Sequence, residues 1–121
     1  MSARVLLIAL ALGACATAPV STAAKGYIVA ELAIADADAY REYAALVPPI
    51  VAKYGGRYLV RGGESAAREG APPAGRVVVI EFDTIAAARA FYDAPEYQAI
   101  APLRIRAANS RVFLVEGTPP R

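Results

Sequence analysis

The chain has 121 residues and a formal net charge of +2, with acids and bases interspersed along it. That length holds one domain rather than two, and without a cluster of Lys and Arg there is no footprint for nucleic acid or another polyphosphate partner. His is absent and Cys15 is the lone cysteine. This removes the commonest metal ligand and general base, the usual proximal haem ligand, an internal disulfide and a Cys-based zinc cage, so no metal and no cofactor is expected.

In chain order, Met1 to Arg4 is short and basic, Val5 to Ala11 is almost purely apolar, and Leu12-Gly13-Ala14-Cys15 follows. The apolar run is too short for a permanent membrane span. The order of basic, apolar and small residues before a Cys resembles a bacterial lipoprotein signal over residues 1–14, with Cys15 as the lipidated mature N-terminus. Ala16 after the Cys, where Asp would favour inner-membrane retention, points by the same resemblance to an outer-membrane lipoprotein of the cell envelope facing the periplasm. Ordinary secretory cleavage after Ala18 or Ala24 is the alternative, giving a soluble periplasmic or secreted protein. A membrane contact is expected only through the lipid anchor. Residues 15–25, small and polar, read as a tether. The folded domain is expected over residues 26–117, followed by a tail over 118–121.

Within that domain, Gly26 to Ile34 reads as a strand. Asp36 or Asp38 is suited to cap a helix, in which Tyr40, Tyr43, Val47, Val51 and Tyr54 recur on one face. Pro48-Pro49 predicts a kink or break in it, and Gly55-Gly56 its end. Arg57 to Arg61 is a short strand. Gly62-Gly63 opens a loop, exposed over Ala66 to Ala74. Arg76 to Asp83 contains the strongest strand signal, Val77-Val78-Val79-Ile80. Thr84 caps a second helix with Ile85, Ala88, Phe91 and Tyr92 inward. Pro95 starts a further short helical piece to about Ala107, and Arg111 to Val115 is the last strand. This βαββαβ order predicts an α+β, ferredoxin-like domain: a four-stranded antiparallel sheet with its helices on one face.

The segments KGYIVAEL, AYREYAALVPP, KYGGRYLVRGG, RVVVIEF and ARAFYDAPEYQAIAPLRIRAA together resemble the bacterial family known as domain of unknown function 1330, over Lys25 to Gly117. The resemblance implies a dimeric α/β barrel of the ferredoxin-like superfamily. Members of that superfamily that handle haem use His, so the resemblance implies no haem here.

Strand alternation divides the sheet's side chains into two sets. Ile28, Ala30, Leu32, Tyr58, Val60, Val78, Ile80, Phe82, Phe113 and Val115 carry no charge and are expected under the helices. Tyr27, Val29, Glu31, Arg57, Leu59, Arg61, Val77, Val79, Glu81, Val112, Leu114 and Glu116 form the other set, which nothing in the chain covers. An uncovered apolar face of that extent calls for a partner, most simply the same face of a second copy, and a partly polar cavity between sheet and partner is the expected ligand site. A β-bulge would reverse these parities locally.

The candidate ligand-binding residues are Tyr27, Glu31, Arg57, Arg61, Glu81 and Arg104. Glu31 and Glu81, expected at similar depth on two parallel central strands, would form a carboxylate pair suited to acid–base work. The alternative is a structural pair neutralised by Arg57 and Arg61. Arg57 could reach Glu81. Arg57, Arg61, Arg104 and Arg106 could clamp an anionic ligand or make surface ion pairs. Tyr27 could orient an oxygen-bearing ligand, whereas Tyr40, Tyr43, Tyr54, Tyr92 and Tyr97 read as core. There is no phosphate loop, nucleophile elbow or metal-ligand spacing. Three functions fit: a homodimeric module binding a small organic ligand, a cofactor-independent oxygenase or isomerase on the dimeric barrel, or a structural dimer without ligand.

Overall fold

The computed structural model describes Gly13 and residues 23–121. The proposed signal cleavage, most of the tether and Cys15 lie outside the described residues. The elements are β1 (Gly26–Ile34), α1 (Ala37–Lys53), β2 (Arg57–Arg61), β3 (Arg76–Phe82), α2 (Ile85–Asp93), α3 (Pro95–Ala107) and β4 (Ala108–Glu116). The strands form one sheet in the order β2-β3-β1-β4, with every neighbouring pair antiparallel. This is the ferredoxin-like α+β fold. Among the described residues no helix is long and apolar enough to cross a membrane.

Local chemistry explains most of the boundaries. Asp36 caps α1 by accepting from the Ala39 backbone N–H at 3.1 Å, and Thr84 caps α2 by accepting from that of Ala87 at 3.0 Å. Pro95 stands at the first position of α3, where its missing N–H has no helical partner to lose. Of the kink or break expected at Pro48-Pro49, the break does not occur: α1 runs through both prolines as one element. Each proline deprives the carbonyl four residues earlier of its donor. Ala45 is exposed and Ala44 half-buried, which leaves water within reach of at least one of these carbonyls, while Tyr43, Val47 and Val51 pin the buried face on both sides of the interruption.

All three helices cover one face of the sheet. The core between them joins Ile28, Leu32, Val78, Ile80 and Phe82 from the strands to Tyr43, Val47, Val51, Phe91 and Tyr97 from the helices. Phe91 is its aromatic centre, with ring centroids 5.4 Å from Phe82 and 4.8 Å from Tyr97. Alternation in β1 and β3 places side chains as expected.

The structure corrects three further expectations. First, β1 and β3 run antiparallel, with Tyr27 opposite Glu81 and Glu31 opposite Val77. A four-residue offset along a strand is about 13 Å, so Glu31 and Glu81 stand near opposite ends of the open face and form no carboxylate pair. Second, β4 has the reverse parity. Val112 and Leu114 pack on the core, and Phe113 and Val115 are exposed. RVFLV is apolar on both alternate sets, so hydrophobicity carries no parity; the ladder with β1, pairing Ile28 with Leu114 and Glu31 with Arg111, decides it. This ladder also carries β4 back to Ala108, before the expected start at Arg111. Third, the β2–β3 register shifts between Tyr58 and Val60. The extra residue reverses alternation beyond it. Val60, opposite Val79, turns to the open face, and Arg61, opposite Val78, turns to the helix side.

Candidate functional site

The six sequence candidates fall into two groups on opposite sides of the sheet. On the open face, β2 and β3 bring Arg57 to Glu81, whose carboxylate accepts from the guanidinium Nε at 2.7 Å. The neighbouring guanidinium holds Glu81 below the usual carboxylate range, and Glu81 in turn pushes the Tyr27 phenol upward. Glu31 pairs instead with Arg111 of β4, at 3.0 Å. Each carboxylate on this face is therefore neutralised by its own arginine. Between these pairs lies an apolar strip of Val29, Val77, Val79, Val60 and Phe113.

Arg61 and Arg104 lie on the other side, at an internal cavity of about 50 Å³ between the sheet and the helices. Its apolar walls include Ile28, Val47, Ile80 and Phe91. Its polar lining comes from Tyr40, Tyr43, Tyr58, Tyr92, Tyr97, Arg61, Arg76 and Arg104. Arg61 is exposed and Arg76 half-buried, so the cavity opens toward solvent at their end. The Arg61 guanidinium lies over the Tyr58 ring, 4.4 Å from its centroid, and Arg76 donates to the Arg61 carbonyl at 3.1 Å. Gly62 makes this arrangement possible. It has φ 73°, and a Cβ there would stand 2.5 Å from the Arg76 guanidinium carbon.

Arg104 is 5% exposed and reaches the interior from α3. Its Nε donates to the Tyr97 hydroxyl at 3.3 Å, which shares a hydrogen bond of 3.0 Å with the Tyr43 hydroxyl. No ion pair involves Arg61, Arg76 or Arg104 among the described residues. An unpaired buried charge is costly by several kcal/mol, so this guanidinium needs explanation. Burial raises the Tyr43 and Tyr58 phenols, which keeps both protonated at neutral pH. The Tyr58 hydroxyl and the Arg76 Nε are buried and have no protein partner. Among the described residues, no group of acids, Cys or His is arranged to hold a metal ion.

Sequence reasoning placed Arg61 on the opposite face and did not single out Tyr58 or Arg76. Sequence signals existed for Arg76 and for the inward turn of Arg104. Arg76 shares the parity of Val78 and Ile80, which points it inward, and Arg104 follows Tyr97 and Ala101 at helical spacing, i, i+4 and i+7. The bulge that turns Arg61 has no such signal.

Residues 25–118 match the family model described as domain of unknown function (DUF1330), and the chain belongs to that family. A search of curated protein sequences returned no match. Among solved structures, the methylated RPA0582 protein of Rhodopseudomonas palustris is similar, with a TM-score of 0.62 and 18% identity over 81% of this chain and 84% of that one. A conserved protein from Methanosarcina mazei Go1 follows at TM-score 0.51 and 10% identity, covering 80% of this chain and 96% of that one. SnoaB, a cofactor-independent oxygenase from Streptomyces nogalater, has a TM-score of 0.49 and 16% identity over 81% of this chain and 97% of that one.

The Arg57–Glu81 pair has a pH signature. Because the folded-state pKa of Glu81 is depressed, its contribution to stability is present above the unfolded carboxylate value and is lost as pH falls through the folded one. Between about pH 5 and about pH 3, the wild-type denaturation midpoint is expected to fall more steeply than that of Glu81→Gln. Equal slopes in parallel denaturant titrations would remove this pair from the acid sensitivity.

Proposed function

We propose that this family member binds a small organic ligand in the internal cavity of each protomer, and that the open sheet faces of two copies pair to form a homodimer. The observation that carries the first part is the cavity lining: apolar walls together with tyrosine and arginine side chains, the usual composition of a site that grips an organic molecule and fixes its orientation. Its volume, about 50 Å³, lies well below the ~300 Å³ of drug-sized pockets, so the ligand has few heavy atoms. The described lining residues include cations and protonated phenols but no carboxylate or imidazole to act as base. This composition supports binding rather than proton abstraction.

Pairing of the open faces is supported by exposed Val60, Phe113 and Val115 alongside the half-buried valines of β1 and β3. A second copy offers the same apolar strip to cover them. The short basic start, apolar run and Cys15 of the sequence support export to the cell envelope as a lipoprotein.

Each part has its own test. Ala44 lines the cavity, and Ala44→Leu fills it at an overpacking penalty of about 1–3 kcal/mol. In ligand-observed NMR with a panel of small organic acids, amides and phenols, wild type is expected to bind at least one class and Ala44→Leu to bind none. Binding that survives the substitution would place the site elsewhere. Sedimentation analysis is expected to show a dimer for wild type and a monomer for Val79→Asp; a monomeric wild type ends the pairing proposal. Radioactive palmitate fed to the exporting bacterium is expected to label wild type and spare Cys15→Ser. Equal labelling of the two would remove the anchor.

A further inference from the structure

The hydrogen-bonding capacity of the cavity is unbalanced in one direction. Arg104 has five N–H donors, and among the described residues the Tyr97 hydroxyl is the acceptor its side chain finds. Tyr43 and Tyr97 have two hydroxyl protons between them, and their shared bond consumes one, leaving one phenolic donor over whichever way it runs. The Tyr58 hydroxyl and the Arg76 Nε add two buried donors without a protein partner. Arg61 contributes a further cation at the open end. Against these donors the described lining supplies no carboxylate and no side-chain amide. A neutral apolar molecule would leave all of them unsatisfied, and a ligand that is itself a cation would meet three guanidinium groups. An inorganic anion would satisfy the donors while leaving the apolar walls uncovered.

We propose that the cavity takes a small organic carboxylate, with its oxygens received by Arg104 and the Tyr58 hydroxyl and its apolar body against Ile28, Val47, Ile80 and Phe91. This rests on the internal cavity being a ligand site and names the class of molecule it selects. A carboxylate supplies the counter-charge that Arg104 lacks and the acceptor that Tyr58 lacks. Charge-assisted bonds of this kind are the strong ones, and a guanidinium fork suits a carboxylate's two oxygens. Arg61, stacked on Tyr58 at the exposed end, stands where an incoming anion first meets positive charge.

The test is titration of the full chain at neutral pH with acetate and propionate, whose few heavy atoms match the cavity, and with acetamide and propionamide as neutral isosteres, followed calorimetrically and by shifts of the cavity tyrosine resonances. At least one carboxylate is expected to bind saturably and to be preferred over its amide by about tenfold or more, as for a hydrogen-bonded charge. Arg104→Gln is expected to abolish that preference. Tyr58→Phe is expected to weaken the carboxylate several-fold without lowering the thermal midpoint, because its hydroxyl bonds no protein group. This second variant decides the matter if Arg104→Gln does not fold. Amides bound as tightly as carboxylates would overturn the anion assignment while leaving a ligand cavity. Displacement of the carboxylate by equimolar phosphate or chloride would overturn the organic class. Failure of all four probes to bind or to shift the tyrosines would overturn both this assignment and the cavity as a site.

Discussion

All three helices lie against the same face of a four-stranded sheet, and that one-sidedness governs the rest of the molecule. It divides every strand into residues that must satisfy a packed, helix-covered interior and residues that meet whatever lies opposite. On the inner side the alternate residues of β1 and β3 join the aromatic layer around Phe91. On the outer side, the two carboxylates of the central strands are each held by an arginine of an edge strand. This leaves an apolar surface whose carboxylates are each balanced by a neighbouring arginine.

The interior carries an opposing tension. Close-packed cores exclude charge because desolvating an ion is expensive, yet α3 inserts Arg104 among Tyr43, Tyr97 and the strand side chains. Hydroxyls soften the environment of the guanidinium but do not neutralise it. A polar cluster of this kind, left with more donors than acceptors, contributes little to stability for its size. On the proposal made above, a bound molecule completes it. The bulge in β2 and the positive φ of Gly62 belong to the same feature, since one turns Arg61 inward and the other leaves space for Arg76.

How far the sequence could be read depended on whether each signal was local. Caps at Asp36 and Thr84, the Val-rich β3 and the spacing of Tyr40, Tyr43, Val47 and Val51 act within a few residues, and they predict the elements and their order. The two prolines do not break α1, because a rule about isolated helices ignores the packing on either side of them. Phe113 and Val115 were assigned to the wrong face because RVFLV is apolar at every position, so only its partner strand sets the parity. The apparent carboxylate pair came from reading central strands as parallel. The antiparallel ladder of β1 and β3 separates Glu31 from Glu81 by four residues of register.

Sequence alone was sufficient for the family, through the resemblance of whole segments, and for the βαββαβ order, the one-sided sheet and the inward set of β1 and β3, because these last three arise from periodicity and from residues adjacent in the chain. Tertiary structure decided the location of the cavity and its lining. Arg61, Arg76 and Arg104 come from β2, β3 and α3, and Tyr43 and Tyr97 are 54 residues apart. Their meeting depends on strand register, on one bulge and on how α3 crosses the sheet. Those are properties of the assembled fold, in which a shift of a single residue sends a charged side chain to the opposite face.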